Sequence, residues 1–174
     1  MHSLHPAVFL DRDGTLIPDH GYLDTVAGVT LLPGVGPALR RLADAGFLLV
    51  LITNQSGIGR GYFTRELVDA QHRCLAERLA PFGVTLAGIE VCPHGPDTEC
   101  DCRKPRPGML RKAARELNVD LARSFMAGDK PGDVAAGRAA GCRTLFIGRA
   151  AACPEADHCA PTLAAAVDWM LAPE

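Results

Sequence analysis

The chain has 174 residues, 48% of them apolar, and a formal net charge of -2. This length suits one domain, expected over residues 1–174, that buries roughly two-thirds of its unfolded surface without a disulfide framework. The composition excludes disorder, a strongly basic nucleic-acid surface and an acidic tail. No apolar run approaches the ~20 residues that span a bilayer. Residues 1–6 also lack a basic stretch leading into an apolar one. The expectation is a cytoplasmic protein, monomeric by default, with no nucleic-acid or membrane partner.

Ala7 to Leu10 is a short apolar run ending in Asp11, the pattern of a buried parallel strand. Residues 17–32 show no sustained period and read as a loop or small flap. Pro33-Gly34 introduces a helix over 35–45, which Gly46 ends, and Phe47 to Ile52 forms a second buried strand running into Thr53-Asn54. Thr64 is an N-cap for a helix to about Ala80, with Leu67, His72, Leu75 and Leu79 as an inward stripe. A third strand covers 89–92, a polar loop 93–107, a helix 109–117, a fourth strand 124–127, a helix 133–140, a fifth strand 143–147 and a last helix 162–171. Alternating strands and helices predict an α/β, Rossmann-like, doubly wound and mostly parallel sheet. In such a sheet ligands bind beyond the carboxyl ends of the strands. Three strands here end in Asp11, Thr53-Asn54 and Gly128-Asp129.

Asp11 and Asp13 stand two apart in an extended segment, so both carboxylates can face one site. Two anions so close need a cation between them or a proton on one. Hard, oxygen-seeking Mg2+ suits the position and bridges readily to phosphate. The plainer meaning of Asp-x-Asp-Gly is a solvated turn.

Phe9-Leu10-Asp11-Arg12-Asp13-Gly14-Thr15 resembles the first motif of the haloacid dehalogenase superfamily. Thr53-Asn54 resembles the second motif, Lys104 in Arg103-Lys104-Pro105 the third, and Gly128-Asp129-Lys130-x-x-Asp133 the fourth. The resemblance covers residues 7–149. It implies that Asp11 attacks phosphorus and that Asp13 protonates the leaving group, then deprotonates water. It further implies that Thr53 hydrogen-bonds the transferring phosphoryl group, with Arg103 and Lys104 offsetting its charge. Mg2+ would be held by Asp11, Asp13 and Asp129, with Asp133 orienting the metal's water shell or capping the next helix.

Cys92-Pro93-His94 followed by Cys100-Asp101-Cys102 supplies three thiolates and an imidazole within eleven residues. That donor set makes a closed tetrahedral zinc site, structural rather than catalytic. Zinc would order the loop 92–104 and thereby present Arg103 and Lys104. The seven cysteines, an odd count, argue against a disulfide framework. Cys153 and Cys159 are a weaker candidate for a second metal site.

The zinc loop and a small or absent cap resemble a subgroup acting on heptose bisphosphate or on histidinol phosphate. Asp19-His20-Gly21-Tyr22, residues 53–61 and Cys102 to Met109 favour the heptose type. The five residues between His94 and Cys100 are shared with the histidinol-phosphate type, which stands as the alternative. The resemblance implies a small phosphorylated sugar bound by Asp19, His20, Gly21, Tyr22, Thr53, Asn54, Gln55, Ser56, Arg103 and Lys104. Arg60 and Lys130 would add a cationic rim suited to a bisphosphate. A non-catalytic phosphosugar-binding module on the same fold should have lost Asp11, Asp13, Thr53, Lys104 or Asp129, and all five are present.

Overall fold

The computed structural model describes residues 4–173. Six strands form one sheet: β1 (Ala7–Leu10), β2 (Leu48–Asn54), β3 (Gly88–Cys92), β4 (Phe125–Gly128), β5 (Arg143–Ile147) and β6 (His158–Ala160). Their order is β3-β2-β1-β4-β5-β6 and every pairing is parallel. The helices are α1 (Val35–Asp44), α2 (Ser56–Gly59), α3 (Arg65–Leu79), α4 (Gly108–Leu117), α5 (Pro131–Ala140) and α6 (Leu163–Met170).

The alternation of side chains along a strand sorts β1 between two cores. Val8 and Leu10 pack with Leu39 and Leu42 of α1, Leu75 and Leu79 of α3, and Leu163 and Val167 of α6. Ala7 and Phe9 face the opposite layer, with Met109, Leu110 and Ala113 of α4 and Ala136 of α5. Since β1 is covered on both faces it reads as an unbroken apolar run, as the central strand of a parallel sheet should. The β1–α1 connection is irregular but anchored, because Leu16, Ile17, Leu23 and Val29 are buried in the first core. It is too short to build a large cap.

Three details differ from the sequence expectation. A sixth strand exists, three residues long and without a readable period, defined by pairing of Leu145 with His158 and Ile147 with Ala160. The turn after β2 contains the single-turn helix α2. On α3 the buried face is Val68, Gln71, His72, Leu75 and Leu79, while Leu67 is only half-buried. Thr64 caps α3 as expected, its Oγ1 accepting from the Leu67 N–H at 3.3 Å. Among the described residues no helix is long and apolar enough to cross a membrane.

Candidate active site

From β1 the chain builds β2 and β3 on one side, then returns to lay β4 on the other. This reversal opens a crevice at the carboxyl ends of β1 and β4. Asp11 extends β1 there, its N–H donating to the Ala127 carbonyl at 3.0 Å, and Asp129 follows β4. Two glycines let the carboxylates converge. A Cβ on Gly14, whose φ is +84°, would collide with the Asp129 carboxylate, and one on Gly128 would collide with that of Asp133. Asp11, Asp129 and Asp133 consequently each place an oxygen within 4.8 Å of the others.

Lys104 enters this acidic cluster from the loop before α4. Its Nζ donates to Asp11 Oδ1 at 2.7 Å and to the Ile52 carbonyl at 2.8 Å, and pairs with Asp133 Oδ1 at 2.7 Å. All three ammonium protons are thus engaged. Burial alone would lower the lysine's pKa, but the charges of Asp11 and Asp133 outweigh it and raise the pKa. Asp133 accepts from the Lys130 N–H through its other oxygen, at 3.0 Å, and so caps α5 as well as holding Lys104.

Asp129 is different. Its Oδ1 is buried without a hydrogen-bond partner. Burial, reinforced by the Asp11 charge, pushes its pKa up to about 7. An unpartnered carboxylate oxygen facing a second carboxylate is the donor set of a hard divalent cation. The residues fit Mg2+, which Asp11 and Asp129 would hold through their carboxylates.

The Asp13 carboxylate is gripped elsewhere. Arg12 straddles it, Nε to Oδ2 at 3.0 Å and Nη2 to Oδ1 at 3.2 Å, and Gln55 Nε2 donates to Oδ2 at 2.9 Å. Gln55 Nε2 also donates to Thr53 Oγ1 at 2.8 Å, linking the ends of β1 and β2. Asn54 clamps the Lys104 backbone, donating to its carbonyl and accepting from its N–H, both at 3.1 Å.

A cavity of about 260 Å3 opens here, lined by Asp11, Asp13, Asn54, Arg103, Lys104, Lys130, Gly132 and Asp133. Asp19 reaches its rim through a 3.0 Å pair with Lys130. Burial would raise the Asp19 pKa, but the Gly21 N–H and then the Lys130 hydrogen bond hold the carboxyl below its ordinary value. His20, Gly21, Tyr22, Ser56 and Arg60 do not line this cavity. Tyr22 is exposed and meets Tyr62 edge-on, with centroids 4.8 Å apart. A larger groove along α4, about 590 Å3, is lined by Arg106, Arg111, Lys112 and Arg115 with the lone carboxylate Asp101. It offers no paired acids.

Three polar residues behind the site, Arg12, Gln71 and His72, are not marked as such by the sequence. Arg12 is 1% exposed, and Gln71 and His72 are also buried. The available signal was a Gln-His pair on the inward face of α3.

Behind Arg103, the sulfur and nitrogen atoms of Cys92, His94, Cys100 and Cys102 converge. Cys92 Sγ lies 3.5 Å from His94 Nδ1, 3.9 Å from Cys100 Sγ and 3.1 Å from Cys102 Sγ, and His94 Nδ1 lies 3.2 Å from Cys102 Sγ. Tetrahedral zinc with ordinary bond lengths separates such atoms by roughly 3.5–3.8 Å. The four residues therefore fit zinc with small adjustments. Arg103 Nη1 donates to the His94 carbonyl at 3.2 Å, joining this loop to the cavity. Cys153 and Cys159 sit instead in a small apolar cluster with Val134 and Phe146.

Comparisons with known proteins give the family of the chain. A family model described as HAD-hydrolase-like matches residues 101–167. The D-glycero-β-D-manno-heptose-1,7-bisphosphate 7-phosphatase of Haemophilus ducreyi is 47% identical over 153 residues, covering 82% of each chain. The Yersinia pestis protein of the same name is 45% identical over 173 residues, covering 95% of this chain and 89% of its own. The crystal structure of D,D-heptose 1,7-bisphosphate phosphatase from B. bronchiseptica, complexed with magnesium and phosphate, superposes with a TM-score of 0.88. It is 36% identical, and the match covers 95% of this chain and 98% of that one. With identity this high over most of both chains, the chain belongs to the D-glycero-β-D-manno-heptose-1,7-bisphosphate 7-phosphatase family of haloacid dehalogenase-like phosphatases.

Proposed function

We propose that the chain is a Mg2+-dependent phosphatase that removes the 7-phosphate of D-glycero-β-D-manno-heptose 1,7-bisphosphate. The product would be the heptose 1-phosphate used to make nucleotide-activated heptose for lipopolysaccharide core. The observation that carries the chemistry is the Lys104 ammonium bound to Asp11, across from the unpartnered oxygen of Asp129. The names of the relatives support the choice of sugar.

Asp11 attacks the 7-phosphorus. The bond from phosphorus to the sugar oxygen breaks, its electron pair stays with that oxygen, and the Asp13 carboxyl supplies the proton that makes it an alcohol. Asp13, now a carboxylate, accepts a proton from water as the water oxygen attacks the aspartyl-phosphate. The bond between phosphorus and Asp11 breaks, phosphate leaves and Asp11 is regenerated. Mg2+ on Asp11 and Asp129 would supply positive charge to the phosphoryl oxygens.

The remaining residues orient and neutralise. Gln55 fills one acceptor position of Thr53 Oγ1, so the hydroxyl proton is free to donate to a phosphoryl oxygen. Lys104 keeps Asp11 aligned by its 2.7 Å contact while adding charge beside it. Arg103 and Lys130 line the same cavity and suit a ligand with two phosphates. Zinc at Cys92, His94, Cys100 and Cys102 would fix the loop carrying Arg103 and Lys104.

A kcat/KM comparison across both heptose bisphosphate anomers, fructose 1,6-bisphosphate and histidinol phosphate tests this reading. The β anomer should be preferred. A preference for histidinol phosphate would overturn the substrate, and no hydrolysis of any ester would overturn the reaction.

A further inference from the structure

Arg12 is the most buried charged side chain near the site, at 1% exposure. Desolvating a guanidinium costs several kcal/mol unless its N–H groups find partners. Here Nε and Nη2 hold Asp13, as described, and Nη1 donates to Gln71 Oε1 at 2.8 Å and to His72 Nε2 at 3.4 Å. Burial, and then the Arg12 charge, lower the His72 pKa to about 4, so the ring is neutral and Nε2 accepts. The Gln71 amide in turn donates to the Leu23 carbonyl at 2.9 Å and the Thr25 carbonyl at 3.2 Å, in the connection between β1 and α1.

A planar guanidinium laid along a carboxylate fixes both the position and the plane of that carboxylate. Together with Gln55, Arg12 leaves Asp13 a single orientation before any substrate arrives. A lysine could supply the charge without the plane. A purely structural Arg12 would need only its link to α3, since an ion pair with the adjacent residue ties no distant elements together.

We propose that Arg12 is a positioning residue that aims the Asp13 carboxyl at the leaving oxygen, and that Gln71 anchors Arg12 to the connection between β1 and α1. The inference rests on the phosphatase reading above, in which Asp13 passes its proton to the sugar oxygen. A sugar alkoxide needs that proton to leave, whereas a nitrophenolate leaves without it.

The test measures kcat/KM of the zinc-loaded enzyme with Mg2+ on heptose 1,7-bisphosphate and on p-nitrophenyl phosphate, for the parent, Arg12→Lys and Gln71→Met. Arg12→Lys should lose ~10²-fold on the sugar ester, the scale of a misplaced catalytic group. On the aryl ester it should lose less than about threefold. In an Asp13→Asn background Arg12→Lys should cause no further loss on the sugar ester. If Arg12→Lys does not fold by circular dichroism, Gln71→Met should show the same contrast between esters at ~10-fold. Equal losses on both esters, or a further loss in the Asp13→Asn background, would overturn the inference while leaving the phosphatase reading in place. A parent inactive on both esters would overturn that reading and the inference with it.

Discussion

Lys104 Nζ and Asp11 Oδ1 lie 2.7 Å apart although 93 residues separate them in the chain, and both side chains are less than 10% exposed. The pair joins the loop before α4 to the end of β1. Asp133 shares the same ammonium, so one cation holds two buried carboxylates together. Lys104→Met removes that cation and leaves both acids unpaired. It should cost about 3–5 kcal/mol, as breaking a buried pair does, and abolish turnover. Urea unfolding without Mg2+, alongside phosphate release with it, checks both effects.

Asp129 sets a pH dependence for the metal-free protein. Its pKa is about 7 in the fold against 3.8 for the free side chain. The stabilisation that the folded state gains by holding this proton is complete below about pH 4 and is lost as pH rises through 7. Mg2+ displaces the proton, so binding should strengthen over that same window. Thermal unfolding with and without saturating Mg2+ should show a larger shift at pH 8 than at pH 5.5, and Asp129→Asn should remove most of the difference.

His72 works in the opposite direction. Its pKa is about 4 in the fold against 6.5 unfolded. The stability tied to the neutral ring is present above pH 6.5 and is lost as pH falls through 4, by up to about 3 kcal/mol. Arg12 from the β1 end and Arg65 on α3 oppose protonation, while Asp69 on α3 favours it. His72→Gln keeps an acceptor for Arg12 but cannot titrate. Its unfolding free energy should be flatter than that of the parent between pH 6.5 and 4.

Removing zinc should loosen residues 92–104 and lower kcat/KM without unfolding the sheet. The loop's order depends on four ligand atoms, whereas β1, β2 and β4 are covered by α1, α4 and α5. Hydrogen exchange on chelated protein should quicken in that loop and remain slow in the strands.

The features legible in the sequence are those carried by neighbouring residues. A buried run ending in Asp11, another in Thr53-Asn54 and a third in Gly128-Asp129 each announce a strand and its polar end. Cys92, His94, Cys100 and Cys102 announce a metal by spacing alone. What the sequence hid depends on long-range pairing. Arg12 meets Gln71 across 59 residues, and Asn54 clamps the Lys104 backbone across 50. No local period marks either contact. Asp133 reads as a partner of the metal's water shell or as a helix cap; it does cap α5, and its grip on Lys104 appears only when β1, β4 and the loop before α4 are brought together. The strand β6 was invisible because three residues cannot display an alternation.

The central claim is that Asp11 is the nucleophile toward heptose bisphosphate. Phosphate release from D-glycero-β-D-manno-heptose 1,7-bisphosphate, measured with Mg2+ for the parent and for folded, zinc-loaded Asp11→Asn, tests it most directly. The parent should leave the heptose 1-phosphate as its only sugar product, and the variant should be slower by at least ~10³-fold, the scale of losing an essential nucleophile. An Asp11→Asn enzyme that releases phosphate at a rate near that of the parent would contradict the account.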